Sequence, residues 1–463
     1  MTLTTTATTA PGAAQRLSRS TCELPAAPIR IVHFGLGAFH RAHQAWYTDV
    51  VDTDRAWGIA AITGRSPQAA EELAPQDGLF TVVERSAEAD EARIVASITE
   101  AVDGADLGRL VELIAAPDTA IVTLTITEAG YRLDTDGAPL ADDPAVIADL
   151  AALAGNGVPA TALGRLLRGL LARRTSGSGP IAIVPCDNIP DNGPFVATGL
   201  RALAVQVDPT LATWIDDNVS FVSTSIDRIT PRTTAADLDV ASALIGLRDE
   251  AAVVTEPFHD WVLSGDFPAG RPAWEQAGAR FVDDIEPFER RKLWLLNGAH
   301  TLLASAGRLR GHETVAAAVA DPVCRAWVEE FWDEAVRHLP DGLDLDAYRA
   351  ALLERFDNAR IEHRLSQIGQ DSVTKLRVRA VPIVLAERAA GRSGAAAIRV
   401  ITAWVALVRS GTVPADASGE QIAAALAVPD EQILAGLLAT IDTRLTDDLS
   451  LLAEIDAAAA SIR

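Results

Sequence analysis

Lysine is almost missing from this chain. Of its 40 basic residues only two, Lys292 and Lys375, are lysines. A GC-rich codon usage accounts for arginine standing in at most surface positions, but gives no reason for two exceptions. Arginine stays protonated, whereas a lysine amine accepts a proton once desolvation or a neighbouring cation lowers its pKa. Most lysines in a chain of this length have ordinary roles; rarity and context single out Lys292. Positive charge is scarce as well: the net charge is -23 and the isoelectric point about 4.7. Such a surface argues against nucleic acid and anionic membranes as partners. A carboxylate or pyrophosphate ligand would then need local donors. Cysteine is sparse: Cys22, Cys186 and Cys324 lie far apart, with no CxxC, which suggests neither a disulfide scaffold nor a cysteine zinc site. No apolar run of about 20 residues occurs, so no membrane span is expected. The first 25 residues are rich in Thr and Ala and lack the apolar core of a signal peptide. A soluble cytoplasmic enzyme is expected. HExxH, a Walker lysine and GxSxG are also lacking. His40 and His43 are three apart without an acid or cysteine beside them, so no metal is expected.

What is present is apolar material for two or three domains: 463 residues, 49% of them hydrophobic, with mean hydropathy +0.16. Residues 1–28 read as a loose arm. Strands are expected at 29–34, 57–63, 119–126, 181–184 and 219–223, and short strands or a hairpin at 81–84 and 94–98. Helical patterns at 38–47, 107–115, 160–173 and 200–218, the last interrupted near Pro209, alternate with them. This order predicts an α/β domain with a mainly parallel sheet. From Pro287 on, helical patterns dominate. The division is therefore a dinucleotide-binding domain over 29–284 and a helical, catalytic domain over 285–463.

Two segments carry chemistry. Phe34-Gly35-Leu36-Gly37-Ala38-Phe39 follows the first strand and opens a helix. Gly35 suits the tight turn, and Gly37 lets a pyrophosphate approach the backbone and the helix N-terminus. His40 stands where a third glycine usually allows close packing; a purely structural turn would use the same two glycines. No ribose-binding acid ends the second strand. Arg65 there suits adenine stacking, a 2′-phosphate or a plain exposed turn, so NAD and NADP both stay open. The second segment is Lys292 to Ala304. As one regular helix it places Asn297 about 140° and His300 about 80° from Lys292, all on one broad face. A neutral lysine there takes a hydroxyl proton, an asparagine donates to the developing alkoxide, and a histidine orients a substrate hydroxyl. A core hydrogen-bonding role explains His300 equally well. Asn188, in the loop after the strand 181–184, is a second amide candidate; an Asx-turn before Pro190 is the plainer reading.

Taken together these motifs resemble the polyol-specific long-chain dehydrogenase/reductase family, also called the mannitol dehydrogenase family. The resemblance runs from about residue 29 to beyond 410. It rests on Gly35-x-Gly37-x-Phe39-His40-Arg41-Ala42-His43-Gln44, Gln76-Asp77-Gly78-Leu79-Phe80, Thr125-Ile126-Thr127-Glu128, Cys186-Asp187-Asn188, Asp227-Arg228-Ile229-Thr230-Pro231, and Lys292 with Asn297 and His300. It implies a metal-independent NAD(P) enzyme with a Rossmann-type N-terminal domain and a helical C-terminal one. By the same resemblance Lys292 is the general base, Asn188 and Asn297 polarise the reacting oxygen, and His300 binds and orients substrate. Asp227 and Lys375 line the substrate site. The segment from His363 to Arg379 looks more like fructuronate reductase than mannitol 2-dehydrogenase. Asn297-Gly298-Ala299-His300 also occurs in tagaturonate-reductase-like members.

The expected substrate is a small sugar, polyol or sugar acid, with D-mannonate/D-fructuronate first, and D-mannitol/D-fructose or tagaturonate as alternatives. Lys375, Arg377 and Arg379, with Arg364 before them, form a cationic cluster suited to a carboxylate. Read as a strand, 375, 377 and 379 share one face; structural arginines would give the same pattern. A non-catalytic dinucleotide-binding regulator is the rival from another class. It would keep the glycine turn and have no need of Lys292, Asn297 and Asn188. The oligomeric state stays open.

Overall fold

The computed structural model describes residues 15–155 and 157–459. The chain divides into two compact units, 1–286 and 287–463.

Among the described residues the first unit has twelve strands: β1 Ile29–Phe34, β2 Gly58–Ile62, β3 Phe80–Arg85, β4 Asp90–Val95, β5 Ile98–Val102, β6 Ile121–Leu124, β7 Ile181–Pro185, β8 Val219–Phe221, β9 Ser223–Asp227, β10 Val253–Thr255, β11 Asp260–Ser264 and β12 Arg280–Phe281. Six form one parallel sheet in the order β5-β2-β1-β6-β7-β8. Counted by its own members this is the order 3-2-1-4-5-6, whose direction reverses beside β1. Ligands of such sheets bind at the carboxyl ends of the strands on either side of that reversal. Alternation along the strands supplies both faces. Ile31, Ile59, Ala61 and Ile121 enter one apolar cluster, and Val32, Ala60, Ile62 and Val122 the other. Two three-stranded sheets, β10-β3-β4 and β12-β11-β9, complete the unit.

Most expected elements are present, with corrections. β3 and β4 do form an antiparallel hairpin, but the expected strand 94–98 is the end of β4 and the start of β5. The loop after the strand expected at 181–184 is short, because a helix starts at Asn192. The described part of the expected loose arm is packed. Leu17 is fully buried, its N–H bonds the Arg248 carbonyl, and it joins Leu79 and Ala96 in a small cluster. Arg19 donates to the carbonyls of Pro25, Asp77, Ala96 and Ile98. The composition of the arm hid this, since one leucine and one arginine hold it. Residues 1–14 lie outside the described residues.

The second unit is helical. Its hub is the helix Asn297–Leu309, buried from Gly298 to Gly307. It packs against the helices Ala395–Arg409, Pro322–Ala335, Leu365–Ile368 and Ser372–Arg379. A Cβ at Gly298 would stand 2.6 Å from the Phe331 ring, so glycine there sets the packing distance. Near the C-terminal end of the unit stand two helices, Asp430–Ile441 and Leu449–Ala459. Among the described residues no helix is long and apolar enough to cross a membrane.

One ion cluster ties this unit together. Glu387, its side chain 1% exposed, meets Arg337 at 3.0 Å, His338 at 2.6 Å and Arg392 at 2.7 Å. Arg392 first, then His338 and Arg337, pull its carboxyl from 4.5 to about 2. A depressed folded-state value means the contribution is whole above about pH 4.5 and fades as pH falls towards 2. Glu387→Gln should therefore lower stability by about 2–3 kcal/mol at neutral pH and flatten the acid limb of a stability profile. A denaturant titration from pH 7 down to pH 3 reads both. An unchanged midpoint would mean that the cluster is worth no more than a screened surface pair.

Candidate active site

In the first unit the glycine turn sits at the end of β1, at the reversal point. Gly35 has φ +104°, and a Cβ there would lie 2.3 Å from the Thr125 carbonyl oxygen. The turn is held on both sides. Gly35 and Leu36 N–H groups donate to the Ile62 carbonyl on β2 at 3.0 and 2.9 Å. Thr125, just past β6, donates its hydroxyl to the Gly35 carbonyl at 3.0 Å. Gly37 is extended and caps the following helix, with no side-chain acceptor on that helix end. The amides of the first turn are thus left for a ligand or water. The residues present fit a dinucleotide: Phe34 ends the strand, Gly35 makes the turn, Gly37 leaves room, and Ala38 and Phe39 open the helix.

His40 resolves the missing third glycine. Its ring stacks on His33 of β1 at 3.3 Å and 6°. Two flat rings thus bring helix and strand together where a glycine would otherwise be needed. His33 bridges Thr123 at 2.8 Å and Thr125 at 3.0 Å. Burial keeps both imidazoles neutral, His33 at about 3 and His40 well below its ordinary value. The helix after the turn is not regular. Arg41–Ala45 is a π turn inside the run Ala38–Val51, a feature frequent at functional sites.

Asn188 lies exposed just beyond β7. Beside it Asp187 makes an Asx-turn, accepting from the Ile189 N–H at 3.0 Å. Asp187 also accepts from the Tyr131 hydroxyl at 2.5 Å and the Asn192 amide at 3.2 Å. Asn192 further ties the carbonyls of Pro185 and Thr224. This clamp was not anticipated. Its available signal was that Tyr131 is one of three tyrosines in the chain. Asp227 ends β9, buried, opposite Asp260. The adjacent Arg228 is buried as well, donating to the carbonyls of Ala42 and Glu256 and pairing with Glu84 at 2.5 Å. Arg65 is exposed beyond β2.

In the second unit the regular helix expected from Lys292 is corrected. Lys292–Leu296 is a π turn, closed by the Asn297 N–H donating to the Lys292 carbonyl. In this wider turn the fifth residue closes the ring, so Asn297 lies nearer the line of Lys292 than the regular-helix angle allows. The Trp332 indole donates to the Leu295 carbonyl at 2.8 Å, and Arg379 and Thr301 donate to the Asn297 carbonyl at 3.2 and 2.9 Å. The turn is thereby held from two sides. His300 follows, buried between Phe356 and an edge-on His363 at 4.7 Å. Its Nε2 has no hydrogen-bond partner among the described residues. Burial, then His363, Arg355, Arg379 and Lys375, holds it neutral, well below its ordinary value.

The cationic segment is a helix, Ser372–Arg379, rather than a strand. Lys375 and Arg379, four apart, share a face, while Arg377 turns away to the carbonyls of Thr440 and Ile441. The strand reading followed alternation alone; the adjoining helices impose helical pairing. Lys375 Nζ donates to the Ile368 and Gln370 carbonyls at 2.9 and 2.5 Å, which leaves it one more N–H to give. Burial, then Arg379, lowers its pKa. Arg364 does not join the group: its side chain is 49% exposed and pairs with Glu362 at 2.5 Å.

Comparison with known proteins agrees with this geometry. Family models described as mannitol dehydrogenase Rossmann domain and mannitol dehydrogenase C-terminal domain match residues 29–276 and 284–462. D-mannonate oxidoreductase of Escherichia coli (strain K12) is 40% identical over 360 residues, covering 75% of this chain and 73% of that protein. Mannitol 2-dehydrogenase of Aspergillus terreus is 38% identical over 351 residues, 73% and 70% of the two chains. Among solved structures, Pseudomonas fluorescens mannitol 2-dehydrogenase in ternary complex with NAD and D-mannitol superposes with TM-score 0.80 at 32% identity, over 98% of this chain and 95% of that one. Both units thus match one family end to end, and the chain belongs to the mannitol dehydrogenase family of oxidoreductases.

Proposed function

We propose that this chain interconverts D-mannonate and D-fructuronate by hydride transfer with a nicotinamide dinucleotide. The observation that carries the sugar-acid reading is the group of cations around His300. Arg355, Arg379 and Lys375 act on that buried neutral ring in a chain whose net charge is -23. A polyol has no use for such a local field, whereas a carboxylate gains one or two charge-assisted hydrogen bonds from it. The 40% identical relative is named for the same sugar acid.

In this reading the bound nicotinamide supplies the hydride acceptor, and side chains do the rest. Neutral Lys292 takes the hydroxyl proton as the carbon–hydrogen bond gives up its hydride. The Asn188 and Asn297 amides donate to the oxygen as charge develops on it. Neutral His300 binds a neighbouring hydroxyl, and Asp227 and Lys375 hold the remainder of the substrate. In reduction the same ammonium returns the proton.

The test is a comparison of kcat/KM for fructuronate, tagaturonate and fructose, each with NADH and with NADPH. Fructuronate should lead. A lead for fructose would establish the mannitol 2-dehydrogenase alternative. A lead for tagaturonate would keep the carboxylate argument and correct the stereochemistry. Dinucleotide binding with no turnover of any sugar would favour a regulator.

A further inference from the structure

The end of β2 decides which dinucleotide fits, and its chemistry is unusual. The run Thr63-Gly64-Arg65-Ser66-Pro67-Gln68-Ala69-Ala70 contains no carboxylate, and the first acid after the strand is Glu71, inside the next helix. An acid at the strand end would bind the ribose 2′-hydroxyl and repel a 2′-phosphate; a guanidinium there attracts the phosphate. Resting on the reading of 34–39 as a dinucleotide turn, we propose that this chain takes NADP(H) at least as well as NAD(H), with Arg65 and Ser66 binding the 2′-phosphate.

The geometry places these residues in line with the turn. The Ile62 carbonyl accepts from both Gly35 and Leu36, so the end of β2 is fastened directly to the glycine turn. A ribose one step from the pyrophosphate falls beside the residues that follow. Thr63 is a fixed base for them. Its N–H bonds the Val102 carbonyl at 2.9 Å and its hydroxyl accepts from the Gly104 N–H at 2.8 Å. Beyond it, residues 64–68 are all exposed, and a Cβ on Gly64 would meet nothing within 4 Å. The Arg65 side chain therefore stands on a solvent-exposed segment.

Arg65 has no hydrogen bond or ion pair among the described residues. That sets it apart in a chain where most arginines are committed. Three acids on adjoining elements are already engaged. Glu100 of β5 holds Arg109 through both oxygens, Asp103 closes a turn at the Ala105 N–H, and Glu72 accepts from Gln68. Only the Ser66 hydroxyl adds to the guanidinium, and it lies 3.3 Å from the Gln68 N–H. Together they offer a planar fork and a hydroxyl, the donor set that suits a phosphate dianion.

The experiment is calorimetric titration of the full chain with NADH, NADPH, 5′-AMP and 2′,5′-ADP, repeated on Arg65→Ala and Arg65→Glu. In the unsubstituted chain NADPH should bind as tightly as NADH or tighter, and 2′,5′-ADP more tightly than 5′-AMP. In both variants the ratio of NADPH to NADH affinity should fall about 10-fold or more. Weaker binding of NADPH than of NADH in the unsubstituted chain would overturn the proposal, as would a ratio that neither variant moves. If no nucleotide binds at all, the dinucleotide reading of the glycine turn fails too. If NADH binds and NADPH is refused, only the present inference falls.

Discussion

Lys292→Ala is expected to cut turnover about 10²-fold or more, with the fold intact by circular dichroism. Lys292→Arg should fail nearly as badly, because a permanent cation cannot accept the hydroxyl proton. The paired result separates proton transfer from charge. If positive charge alone mattered, arginine would rescue. The pH profile gives a second reading, since loss of the base should remove the limb on which oxidation rises with pH. An unchanged rate together with an unchanged profile in Lys292→Ala would end the assignment. The π turn bears on this expectation. It is held by Trp332 on the Leu295 carbonyl and Arg379 on the Asn297 carbonyl, so the backbone that carries the lysine stays in place when its side chain is removed.

The second large effect is a contrast between two glycines. Gly35→Ala should damage the fold. At φ +104° with the Thr125 carbonyl 2.3 Å from the new Cβ, both backbone strain and overlap arise, about 3 kcal/mol together. The turn must shift, and with it the threonine bridge to His33. Gly37→Ala should leave stability alone, because its backbone is extended and its nearest neighbour, the Gly35 carbonyl, lies 3.5 Å away. Its effect should appear in binding, where a methyl group stands between the helix N-terminus and a pyrophosphate, weakening dinucleotide affinity about 10-fold or more. Thermal midpoints and NADH titrations on the two variants check this. A Gly37→Ala protein that binds NADH normally would show that no phosphate approaches the turn so closely.

Much of this was legible in the chain itself. Near-continuous apolar runs within 29–34, 57–63 and 119–126 are enough to announce buried parallel strands, because run length and branching are local properties. Rarity and context pointed to Lys292 without any fold. Failures came where a local signal was ambiguous. Lys375, Arg377 and Arg379 alternate as a strand would, yet the helix Ser372–Arg379 separates Arg377 from the other two. Asp187 of the 185–190 loop accepts from the Ile189 N–H, a contact no spacing could single out. Tyr131 and Asp187 are 56 residues apart, and nothing local couples them.

By itself, then, the sequence determined the α/β and helical division, the glycine turn, and the identity of the proton-carrying candidate, since each depends on residue type and short-range period. Only the tertiary structure decided how those parts are held. The His33–His40 stack stands in for a glycine, the π turn draws Asn297 towards Lys292, and cations gather at His300 while Arg364 turns to solvent. These depend on which distant backbones approach one another, and that is set by packing across the whole unit.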